Sequence, residues 1–228
     1  MKAARGNYSR IIKKYRALGK GDVRLTEGTL TLIQPISASK TQYSFPVLEN
    51  ESQTGVPPLS EEIRLNINDE FIVGSVAVML YGSIGLEGNV QAKQPYTYAP
   101  SELNATFNNV ADFYAGFFSA AINKINYVDK WDLRKHENTP RTQFANLTPS
   151  SPATKPNVKF EDDGVYLAAP NFTLSGAKKN ELTITLPNAI TASQGFWIDN
   201  NNEPQTVNVD KIIVICRGLL AQNAARFQ

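Results

Sequence analysis

From Gly28 to the C-terminus, apolar residues recur at every second position in short runs, separated by clusters of Pro, Gly, Asn and Ser. A period of two puts successive side chains on opposite faces of an extended chain, so these runs predict strands rather than helices. They include GTLTLIQPI (28–36), TQYSFPVL (41–48), GVYLAAPNFTLSG (164–176), NELTITLPNAI (180–190), GFWI (195–198) and KIIVICRGLL (211–220). In the fourth, Leu182, Ile184 and Leu186 share one face. The longest run is EEIRLNINDEFIVGSVAVMLYGSIG (61–85), where Ile63, Leu65 and Ile67 alternate with polar residues and Asn68-Asp69 suggests a turn or bulge. Within it, FIVGSVAVML is apolar at both parities, as expected of a strand buried on both faces.

Two segments depart from this rhythm. SELNATFNNVADFYAGFFSAA (101–121) places Phe107, Val110, Ala111, Tyr114 and Phe117 or Phe118 at helical spacing, which predicts one amphipathic helix between strands. NKINYVDKWDLRKH (123–136) reads as a strand pair or hairpin. Residues 138–159 hold four prolines among many Ser, Thr and Asn residues and read as a long loop. The strand count is about eight to ten by pattern, with no βαβ alternation and no internal repeat, so the fold class is all-β: an antiparallel β-sandwich or barrel.

The first 24 residues, MKAARGNYSRIIKKYRALGKGDVR, are different in kind. They hold 8 of the chain's 23 bases and one of its 21 acids, leaving 15 bases and 20 acids for the remainder. The arm is therefore +7 and the body −5. Tyr8, Ile11, Ile12, Tyr15 and Leu18 form one helical stripe, with Arg10, Lys13, Lys14 and Arg16 largely off it, and Gly19 and Gly21 end the helix. A helix this short is marginal alone in water, so its stripe needs a surface to dock on: the body, a neighbouring copy, or lipid. The division is an arm over 1–27 and a body over 28–228. Charges stand where a secretory signal needs an apolar stretch; a transit peptide shares the basic, acid-poor look, and that alternative stays open.

Chemistry is sparse. The single cysteine, Cys216, lies in an apolar run and reads as a small buried hydrophobe. The single histidine, His136, has charged neighbours and reads as exposed; without Cys or His partners it makes no metal site. EDDG (161–164) and DNNNE (199–203) offer oxygen ligands but lack the spacing of a calcium loop. No phosphate-cradling glycine motif or nucleophile elbow is present. A carboxylate pair using Asp129 or Asp132 would require a partner brought in by the fold.

The basic arm, the eight or so strands and the inserted helix and loop together resemble viral jelly-roll capsid proteins, bacteriophage virion proteins among them. A polar lead-in, EEIRLNINDEF (61–71), and a closing apolar strand, KIIVICRGLLAQNAA (211–225), share that style. The resemblance implies a single jelly roll and a non-enzymatic virion shell protein, assembled in the host cytoplasm, with no catalytic residues and no cofactor or metal. It implies partners too: other copies of the chain, other virion proteins, and packaged nucleic acid or an internal membrane reached by the arm. The arm residues expected to lock neighbours are Arg10, Ile11, Ile12, Lys13, Lys14, Tyr15, Arg16 and Leu18. The alternative is a β-sandwich binding module, carbohydrate-recognising or of fibre type, using exposed aromatics such as Trp131, Trp197, Tyr96 or Tyr98.

Overall fold

A computed structural model describes residues 9, 13, 15, 23–51, 61–86, 90–96, 109–136, 164–191, 193–198 and 204–227. Two long strands, β3 (Glu70–Leu86) and β10 (Pro204–Gln222), pair antiparallel at the centre of the larger sheet. β10 is flanked by β1 (Arg24–Pro35) and, past its end, by β9 (Ser193–Ile198). β3 is flanked by β7 (Val165–Ser175) and then by β4 (Val90–Tyr96). The order is thus β1-β10-β3-β7 at one end and β9-β10-β3-β4 at the other. A smaller sheet has the order β2-β8-β5-β6, from β2 (Gln42–Phe45), β8 (Asn180–Thr185), β5 (Phe117–Ile122) and β6 (Ile125–Asp132).

The core lies between the sheets, where the alternation predicts it. Leu30 and Leu32, Val76, Val78 and Leu80, Phe172 and Leu174, and Ile212, Val214 and Cys216 meet Tyr43, Phe45, Phe118, Ile122, Leu182 and Ile184 in one buried cluster. Each such side chain contributes about 1.5–3 kcal/mol by leaving water. The opposite parity of the larger sheet is also apolar. Ile33, Ala77, Met79 and Ile213 form one outer cluster, and Ile72, Leu219, Ala221 and Ala224 help form another. FIVGSVAVML is therefore buried on both faces, as its composition requires.

The register of β3 against both neighbours skips Gly74. Opposite it, a Cβ on Gly218 would stand 1.9 Å from the Ile72 carbonyl oxygen. That close backbone approach admits only glycine, and the extra residue puts both Val73 and Val76 on the core face.

Three expectations are corrected. The helix in 101–121 spans only Asn109–Tyr114 among the described residues; Phe117 and Phe118 open β5, with Phe118 buried and Phe117 exposed in strand alternation. Gly116 marks the change: a Cβ there would meet Leu186 at 2.6 Å and the Thr185 carbonyl at 2.8 Å. The hairpin read in 123–136 instead joins β5 to β6 through Asn123 and Lys124, both with positive φ, as a two-residue turn of this twist needs. Of Ile63, Leu65 and Ile67, only Leu65 is buried, and 63–67 makes isolated bridges and a turn rather than a strand.

This lead-in instead seams the sheets together. Ile63 exchanges two backbone hydrogen bonds with Thr31 on β1, and Leu65 bridges to Leu48 beyond β2. Glu62 accepts from the Ile33 amide and from Arg64. The first strand begins at Arg24, four residues before the expected arm–body boundary. The loop read over 138–159 and the turn over 199–203 lie outside the described residues.

Candidate functional site

The outer face of the larger sheet carries a seat for Tyr15. Ser9, Lys13 and Tyr15 are helical; Ser9 and Lys13 are exposed, and Tyr15 is 8% exposed. Tyr15 packs with Ile72, Leu219, Ala221 and Ala224, flanked by Val23 and Leu25. Its hydroxyl donates to Glu70 Oε2, and Glu70 is itself buried at the start of β3. Burial first, then this bond and the neighbouring carboxylate, push the phenol well above its ordinary range, so it remains a donor. Of the arm residues singled out in the sequence, Lys13 and Tyr15 are described; Arg10, Ile11, Ile12, Lys14, Arg16 and Leu18 lie outside the described residues. The sequence hint of Glu70 was an acid at the head of an apolar run, which alone reads as an exposed strand end.

A second cluster forms where β6 leaves the smaller sheet. His136 is fully buried, which corrects its reading as a surface histidine. Its charged neighbours Arg134 and Lys135 point outward on the 3-10 turn Leu133–His136, while Leu133 and His136 point in. The imidazole stacks on Trp131 at a 6.0 Å centroid distance and meets the edge of Tyr166 at 5.4 Å. His136 Nδ1 donates to the Gly164 carbonyl at 2.8 Å, since a carbonyl can only accept. His136 Nε2 and Trp131 Nε1 are buried without hydrogen-bond partners. Desolvation pushes His136 down to about 4, outweighing the opposite pull of the Gly164 bond. Lys135 Nζ sits 4.7 Å over the Trp131 ring.

The aromatic and acidic candidates can now be placed. Trp131 is half-buried against the core, Tyr98 lies outside the described residues, and of Tyr96 and Trp197 only the strand backbone is described. Asp132 is held by Arg134, whose Nη2 and Nε donate at 2.7 Å and 3.0 Å to the same oxygen; those bonds lower the carboxyl below its usual range. Asp129 is exposed. Burial pushes the Cys216 thiol up to about 12, which makes it a core side chain rather than a nucleophile at neutral pH. Among the described residues, no group of three His, Cys, Asp or Glu is placed to hold a metal.

A trough of about 540 Å³ runs over the outer face of the smaller sheet. It is lined by Gln42, Ser44, Ser119, Glu181 and Thr183, with Lys179 and Glu51 also on its wall. No family model, curated protein or solved structure matches this chain.

Proposed function

We propose that this chain is a non-enzymatic structural subunit that assembles with copies of itself, built as a single jelly roll and serving as a virion shell protein. The observation that carries the reading is the strand order: β1-β10-β3-β7 against β2-β8-β5-β6 is the order produced by folding a long antiparallel hairpin ribbon over twice, as a jelly roll does. On this reading β4 and β9 extend β3 and β10 beyond the sandwich. Two further features support it. The amphipathic arm has a ready seat on the outer sheet face, which a neighbour's arm can use as well as the chain's own. Five of the seven large apolar side chains left exposed among the described residues are Phe117, Ile125, Tyr127, Tyr166 and Leu167, all on β5, β6 and β7. Such a concentration suits a contact between copies. The partners are then other copies, other virion proteins, and nucleic acid or an internal membrane at the basic arm.

The test compares the full chain with one lacking residues 1–24, by light scattering and negative-stain imaging at low and high salt. Closed shells, rings or regular arrays from the full chain alone, with the truncated body still folded, are the expected result. A salt-indifferent monomer in both cases overturns the reading. The polar trough favours a second reading, a binding module for a hydroxyl-rich ligand; a glycan-array signal lost on Thr183→Arg would select it.

A further inference from the structure

Beyond assembly, one buried histidine ties two remote stretches of the chain together. His136 and Gly164 are the two ends of the connection between the 3-10 turn after β6 and the start of β7. The Nδ1 bond to the Gly164 carbonyl at 2.8 Å ties those ends across 28 positions of chain. One end belongs to the smaller sheet and the other to the larger, so this bond and the Trp131 and Tyr166 ring contacts fasten the two sheets at one edge.

We propose that His136 is an acid-sensitive clasp, holding the Leu133–His136 turn against the start of β7 at neutral pH and releasing it in mild acid. Protonation leaves the Nδ1 bond intact, because Nδ1 is already the donor. It adds a proton at Nε2, which has no acceptor, and a charge on a side chain that is fully buried. Among the described residues, no carboxylate acts on the ring to offset that charge. On the turn itself stand Lys135 and Arg134, and Arg134 is engaged by Asp132 of β6. β6 also carries exposed Asp129 and Lys130. β7 brings the Tyr166 ring, and the core-facing residues of β3 are Phe71, Val73, Val76, Val78 and Leu80, all uncharged. The helix Asn109–Tyr114 brings buried Tyr114, and Asp112, which accepts from Asn188 at 3.4 Å. Lys135 repels the imidazolium further.

The sign follows from which form takes up the proton. The open form binds it at the ordinary 6.5 and the closed form only near 4, so the closed form holds its full advantage above 6.5 and loses it as pH falls toward 4. That separation raises the opening constant by about 20- to 30-fold at pH 5, and by up to about 300-fold at the acid limit.

His136 is the chain's single histidine, so its ring resonance needs no assignment. The experiment is NMR of the full chain between pH 7.5 and 4, reading the imidazole titration and the amide protection of Leu133–His136 and Val165–Leu167, corrected for intrinsic exchange. The expected result has the imidazole neutral down to below pH 5 in the closed form. Protection at both ends should then fall about 20- to 30-fold by pH 5, while Val76–Leu80 stays protected and His136→Gln shows no such fall. The idea is overturned if the imidazole titrates near 6.5 with both ends still protected. It is equally overturned if β3 loses protection by the same factor, or if His136→Gln responds to acid like the wild type. The wild-type titration remains decisive should the variant fail to fold.

Discussion

Arg64 and Glu62 show what a single residue contributes to the seam. Their side chains are 6% and 2% exposed and meet at 2.9 Å; Glu62 also accepts from the Ile33 amide, and Arg64 donates to the Glu51 carbonyl. Arg64→Met takes the positive charge away from a buried carboxylate that keeps the Ile33 amide, at an expected cost of about 3–5 kcal/mol in urea or thermal unfolding. Adding Glu62→Gln to that variant should recover part of the loss, because a neutral amide tolerates the site better. A cost below about 1 kcal/mol for Arg64→Met would mean the pair is idle. None of this was legible in the sequence. His136 reads as a surface residue because charges surround it locally, and nothing local marks Glu62 or Glu70, yet each side chain meets a partner 28 to 55 positions away. Local pattern reports a residue's neighbours along the chain, whereas burial of a polar group depends on a partner that only the fold delivers.

At the scale of elements, the alternation carried most of the information. Leu182, Ile184 and Leu186 lie on the core face as read, and the doubly apolar run of β3 is buried on both sides. What the pattern missed is register. The bulge at Gly74 and the close approach at Gly218 set which side of β3 and β10 faces the core, and glycine carries no hydropathy signal. Gly218→Ala forces the Ile72 carbonyl to move by more than an ångström, since the new Cβ would stand 1.9 Å from it. The expected effect is a loss of roughly 2 kcal/mol or more in stability, within the range of strained backbone substitutions, read from denaturant midpoints at unchanged slope. An unchanged midpoint would show that the central pair of strands shifts freely, against the tight register drawn here. Helical spacing misled at Phe117 and Phe118 because an apolar run of two or three residues fits both periods, and Gly116 decides between them by sterics.

Over the whole molecule, a pair of variants separates a Tyr15 seat used within one chain from one used by a neighbour. Tyr15→Ala removes the arm's anchor, and Leu219→Glu places a charge in the seat that Tyr15 occupies. If arms are exchanged, neither variant assembles alone. A mixture does so in part, because the intact arm of one docks on the intact seat of the other. A mixture as inert as its components would confine the arm to its own body and remove exchange from the mechanism. Scattering across a salt series adds the electrostatic side: contacts between a +7 arm and a −5 body weaken as salt shortens the screening length.

The amino-acid order by itself determined the class of this protein: strands with a period of two, one stretch apolar on both faces, and a basic N-terminal stretch set apart from an acidic remainder. Those properties are local, written in spacing and charge, and need no contact to be seen. Only the tertiary structure decided the strand order, the Tyr15–Glu70 seat, the Glu62–Arg64 seam and the sealing of His136 between Trp131 and Tyr166. Each of those depends on residues remote in sequence meeting in a space closed to water, where an unpaired polar group is costly and a paired one is held in place.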